Sequence, residues 1–119
     1  MKNIDHFFKT LYQNFNDRKI DAVIVHMVDD IEWANGMEGG YVYGQQAVKE
    51  YWARQFALVS SNVTPLKINA SNDVVKIKVH QVVHSLDGSL LSDEIVWHIF
   101  HVLHGKIALF VIGEKMLND

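Results

Sequence analysis

The chain has 119 residues, 49 % hydrophobic and 21 % charged, with a formal net charge of −3 and no cysteine. That length suits one domain with a core that needs no staples, and the missing thiols exclude disulfides, thiolate metal sites and a thiol nucleophile. Scattered basic residues offer no phosphate-neutralising stripe, so no nucleic-acid partner is expected. The charges of Met1-Lys2-Asn3-Ile4-Asp5 come too early for a signal peptide, and no apolar run approaches the ~20 residues that span a bilayer. The expectation is a single cytoplasmic domain over residues 1–119, without a membrane partner.

Taken in order, Ile4, Phe8, Leu11, Tyr12 and Phe15 recur at helical spacing and predict a helix over about Asp5–Asp17, capped by Asn3 or Asp5. A second short helix is expected over Ile20–Val28. Ile31–Ala34 and Tyr41–Tyr43 read as short strands around the turn signals Asn35-Gly36 and Gly39-Gly40. Gly44 then breaks the chain before a helix over Gln45–Val59, with Val48, Tyr51, Trp52, Gln55 and Phe56 on its inner stripe.

Beyond Ser60 the pattern turns to sheet. Leu66, Ile68 and Ala70 alternate with polar residues, and Pro65 near the strand start is tolerated there. Val74–Ser85 and Leu90–His104 are long strands about the hairpin signal Asp87-Gly88, and Ile107–Ile112 closes a four-strand antiparallel meander. Helices gathered on one side of a curved antiparallel sheet make an α+β fold, with room for a conical cavity.

The stretch Trp33-Ala34-Asn35-Gly36-Met37-Glu38-Gly39-Gly40-Tyr41, preceded by Asp29-Asp30, carries a family likeness. Gly44, Ala47-Val48, Tyr51-Trp52 and Gln55 continue it, followed by Val79-His80-Gln81-Val82-Val83. In this order and spacing the chain resembles the SnoaL-like group of the nuclear transport factor 2-like superfamily, related to ketosteroid isomerases. The resemblance implies a cone-shaped, cystatin-like α+β barrel, with a curved antiparallel sheet packed on three helices from the N-terminal half. It also implies a mostly apolar pocket for a small organic ligand and a homodimer through the convex sheet face. The family holds isomerases, cyclases, dehydratases, epoxide hydrolases and inactive binding modules, so chemistry is read from the site.

By that resemblance Asn35 stands where ketosteroid isomerases place their catalytic aspartate, and an amide cannot act as a general base. Leu11 and Trp97 stand at the positions of the oxyanion-stabilising tyrosine and aspartate. Polyketide cyclases of the family use an acid on the closing strand; here Ile107–Ile112 has no ionisable group, and Glu114 falls just past it at the rim. The pocket wall is expected from Tyr12, Trp33, Asn35, Tyr43, Trp52, Phe56, Ile95, Trp97 and Phe110.

The remaining candidates for catalysis are His80 and Asp93. Pairing the long strands about Asp87-Gly88 places His84 opposite Leu91, Val82 opposite Asp93 and His80 opposite Ile95, all on one face with Trp97. A His beside an Asp in a dry pocket would serve as a base or proton shuttle. The alternation of Val75, Ile77 and Val79 with Lys76, Lys78 and His80 instead turns His80 outward, and one residue of slip reverses every assignment. His98, His101 and His104 fail as metal ligands, because a spacing of three in a strand sends the middle one to the opposite face. No metal or cofactor is expected. Two functions stay open: a small apolar-ligand binder or isomerase/cyclase-type enzyme without the usual aspartate, and a non-catalytic homodimeric scaffold whose outward Val96, Phe100 and Val102 would form the interface.

Overall fold

The apolar periodicities resolve into three helices and six strands in the structure, a computed structural model that describes residues 3–113. Glu114 lies outside the described residues. The first helix, α1 (Ile4–Asn16), buries Phe8, Leu11 and Tyr12. Its free N–H groups are met at the start by Asn3, whose Oδ1 accepts from the His6 N–H at 3.3 Å. The second helix, α2 (Ile20–Ile24), is shorter than the apolar run suggests. Val25 and His26 close it by donating to the carbonyls of Asp21 and Val23, and Met27 already begins a strand.

That strand is β1 (Met27–Ala34), followed by β2 (Tyr41–Tyr43), α3 (Gln45–Leu58), β3 (Val59–Ser71), β4 (Val74–Ser85), β5 (Leu90–Leu103) and β6 (Lys106–Gly113). The sheet runs β2-β1-β6-β5-β4-β3. The expected antiparallel meander is present, and β1 joins it parallel to β6, with Trp33 opposite Phe110. Gly44 makes the turn from β2 into α3 at φ 89°, a conformation that a side chain would strain.

β3 starts seven residues before the alternating stretch that begins at Leu66. Its first half is fixed from α1: Asn16 Nδ2 donates to the Val63 carbonyl at 2.8 Å, and Asn16 Oδ1 accepts from the Val63 N–H at 2.9 Å. One amide side chain thus mimics a neighbouring strand. β3 is an edge strand, so Pro65 removes no needed ladder bond, and the register shifts between Pro65 and Lys67.

Strand parity decides the site. Val75, Ile77 and Val79 are almost fully buried, which turns their face of β4 towards the helices. In register with them, Phe100, His98 and Val96 face inward from β5; further along, Gln81 opposes Glu94 and Val83 opposes Ser92. The outer, convex face carries Lys76 opposite Ile99, Lys78 opposite Trp97, His80 opposite Ile95 and Val82 opposite Asp93. Val96, Phe100 and Val102 are therefore not outward interface residues: Phe100 belongs to the core, and the other two pack against it.

Candidate ligand-binding site

Between the inner sheet face, α1, α3 and the loop after β1 lies a cavity of about 320 Å³, within the usual ~300–1,000 Å³ of small-molecule sites. Its deep end is aromatic. Trp33 stacks on Phe110 at 4.1 Å between ring centroids and meets the Trp52 ring edge-on at 5.2 Å. The Phe110 ring stands edge-on to His98 at 4.8 Å. Leu11, Tyr12, Val23 and Phe100 complete this end, and Gln55, Ser61, Gln81, Ser92 and Glu94 give the other end its polar groups.

Within the apolar end sits one polar pair. Tyr12 Oη and His98 Nδ1 are 2.7 Å apart and their rings are stacked. Helical phase on α1 aims Tyr12 inward, and the even spacing from Phe100 along β5 does the same for His98. Burial pushes the Tyr12 phenol well above its usual value and the His98 imidazolium down to about 3, because water is kept from both charged forms. Both groups are therefore neutral at physiological pH. If Tyr12 donates to Nδ1, His98 presents an Nε2–H donor and the phenol oxygen remains an acceptor. In the other tautomer Tyr12 keeps its donor and Nε2 accepts. Either way the pair offers the cavity one donor and one acceptor. Among the described residues Nε2 has no hydrogen-bond partner, and it is not among the enclosed unpaired atoms, of which Trp97 Nε1 is the one case.

The loop after β1 lends Gly36 and Met37 to the cavity wall. Asn35 Oδ1 accepts the N–H groups of Met37 and Glu38 at 3.0 and 2.8 Å, and Asn35 Nδ2 donates to Glu38 Oε1 at 2.9 Å. Tyr51 Oη accepts from the Gly36 N–H at 3.1 Å, tying the loop to α3. A Cβ on Gly36 would stand 3.1 Å from the Ile112 Cδ1, so a larger residue there requires the end of that side chain to shift by a few tenths of an ångström.

Of the residues expected at the pocket, Tyr12, Trp33, Trp52 and Phe110 line the cavity. The others stand elsewhere. Asn35 is buried, but its amide is spent within the loop; Tyr43, on the edge strand β2, is 65 % exposed. Phe56 packs under the Arg18 guanidinium at 4.1 Å and against Phe15. Ile95 and Trp97 are on the outer sheet face.

His80 and Asp93 do meet, with Nε2 and Oδ1 2.7 Å apart, but on that same outer face, with side chains 39 % and 52 % exposed. The register between Val82 and Asp93 and between His80 and Ile95 is as expected; the face is the reverse, which corrects their placement in the pocket. His84 pairs with Leu90 rather than Leu91, because the register shifts after Val83. The residue that reading by position missed is His98, weighed only as a metal ligand. The buried alternation of Val75, Ile77 and Val79 was the signal for it, since their cross-strand partners include His98. Among the described residues no three His, Asp or Glu side chains gather as a metal site, and no helix is long and apolar enough to cross a membrane.

No family model matches the chain, and no curated protein does either. Solved structures do match. The chain is similar to TerC co-crystallised with polyporic acid, at 24 % identity over 93 % of this chain and 89 % of that one, with a TM-score of 0.80. A nuclear transport factor 2-like protein of unknown function from Burkholderia pseudomallei superimposes with a TM-score of 0.83, at 18 % identity over 95 % and 91 % of the two chains. RV0760c from Mycobacterium tuberculosis, in complex with estradiol-17beta-hemisuccinate, gives 0.72 at 15 % identity over 84 % of each chain.

Proposed function

We propose that this chain, which has the nuclear transport factor 2-like fold, binds a small, mostly apolar, ring-containing organic molecule in the aromatic cavity and grips one oxygen of it with Tyr12 and His98. The observation that carries the reading is the neutral Tyr12–His98 pair, 2.7 Å apart at the aromatic end of a cavity walled by Trp33, Trp52 and Phe110. A hydroxyl can both accept from and donate to the pair in either tautomer, whereas a ketone uses its donor alone. An anionic group is disfavoured there, because neither partner charges to meet it. The organic molecules named with TerC and RV0760c support the same use of this fold.

Recognition is favoured over turnover. A histidine held near a pKa of about 3 is a feeble base at neutral pH, and the amide at the isomerase-base position is fully engaged in its loop. Binding of 4-hydroxybiphenyl, followed by quenching of tryptophan fluorescence, tests the reading. Tyr12→Phe should weaken it about tenfold, the scale of one hydrogen bond left unmade in a buried site. An unchanged Kd, or no binding by the wild type, refutes it.

The outer sheet face supports a second copy of the chain as a partner. Trp97 is buried there with its indole N–H unpaired among the described residues, beside the partly exposed Ile95. Light scattering behind size exclusion should return a dimer at micromolar concentration, and Ile95→Glu should return monomer; a wild-type monomer contradicts this.

A further inference from the structure

Glu94 lies four residues from His98 on β5, and the two side chains share the inner sheet face. At about 3.3 Å per residue that separates them by ~13 Å along the strand, close to the length of a two-ring molecule with a group at each end. Its cross-strand neighbour on this face is Gln81, an uncharged amide. Glu38 pairs with Arg54, Asp21 with Lys49 and Asp93 with His80, but Glu94 has no ion-pair partner among the described residues. No Lys or Arg among them lines the cavity. Tyr12 and His98 are neutral, and among the described residues Glu94 is the one Asp or Glu of the cavity lining, exposed at the end away from the aromatic wall.

We propose that Glu94 is a specificity-determining residue of this cavity, selecting ligands with a protonated amine at the end remote from the oxygen held by Tyr12 and His98. The inference rests on the binding site proposed above and adds the ligand's polarity: an oxygen at the buried end, a cationic nitrogen at the mouth, and flat apolar rings between. A carboxylate at the Glu94 end meets like charge, and no Lys or Arg among the described lining residues offsets it. A neutral group there neither gains nor loses.

Three probes decide it: 4-hydroxybiphenyl and its 4'-aminomethyl and 4'-carboxy derivatives, titrated by tryptophan quenching at low ionic strength. The aminomethyl probe should bind about three- to fivefold more tightly than the neutral one, and the carboxy probe more weakly by a similar factor, as for ion pairs reached by solvent. Glu94→Gln should bring the three within twofold of one another. Raising the salt on the wild-type protein should shrink the same preference. Equal affinities in the wild type, or a preference that survives in Glu94→Gln, overturn the role of Glu94 while leaving the cavity reading intact. If 4-hydroxybiphenyl itself fails to bind, or binds without dependence on Tyr12, the cavity reading fails and this one with it.

Discussion

Trp52→Ala should destabilise the protein by about 3–5 kcal/mol, the range for removing a large buried aromatic side chain. Trp52 is 2 % exposed and touches two sides of the molecule at once. Its ring meets Phe15 of α1 edge-on at 5.2 Å and Trp33 of β1 at the same distance. Truncation opens a void between α1, α3 and the sheet that the stacked Trp33 and Phe110 rings cannot fill without giving up their own contact. Since Trp52 also forms cavity wall, the same change should enlarge the site and weaken 4-hydroxybiphenyl. Urea unfolding followed by circular dichroism checks the stability, and a loss below about 1 kcal/mol would show that the wall is not part of the core.

Acidification should be nearly as costly. His98 is neutral in the folded protein down to about pH 3, while in the unfolded chain it takes up a proton near the ordinary histidine value of about 6.5. Between those values the unfolded state binds more protons, so stability is greatest above about pH 6.5 and declines as pH falls towards 3. One group of this kind gives a slope of up to about 1.4 kcal/mol per pH unit. Asp87, whose carboxyl is held low by the Ser85 hydroxyl and by Ser89, adds its own loss only at the acid end of that range. Denaturant melts between pH 7 and 4 read the slope. In the Tyr12→Phe/His98→Phe double variant it should be shallower by His98's share, with stability at pH 7 close to wild type, because both partners become apolar together. His98→Phe alone should be worse than the double, since it strands the Tyr12 hydroxyl.

The fold was legible in the sequence because its signals are long. The apolar spacing of α1, the alternation of β4 and the Asp87-Gly88 turn each specify one local structure, and together they leave few topologies. Boundaries were less legible where one composition suits two structures. Val25 to Val28 continues the helical stripe of α2, yet pairing with β6 claims Met27 onward for the sheet. Val59 to Thr64 carries too many hydroxyl and amide groups to read as a strand, until Asn16 supplies hydrogen bonds from outside the sheet.

The site shows what parity does. Carrying Trp97 over from a resembling family, and placing Ile95 on its face from the pairing about Asp87-Gly88, assigned both to the pocket, one residue out of step with His98 and Glu94, and a single step in a strand exchanges the two faces. The chain's own burial pattern had the information: Val75, Ile77 and Val79 must face the helices, so their cross-strand partners do too. No local pattern could announce the Tyr12–His98 contact, which joins residues 86 apart in sequence and exists only once α1 lies across the sheet.

Whether a ligand oxygen meets a neutral Tyr12–His98 pair inside the cavity is read from the 15N resonances of the His98 imidazole, recorded with and without saturating 4-hydroxybiphenyl. Without ligand they should show one neutral tautomer from pH 8 to pH 4; with ligand, Nε2 should shift while His101 and His104 stay in place. A His98 that titrates near pH 6.5, or that does not respond to bound ligand, would rule out a neutral pair in contact with the ligand.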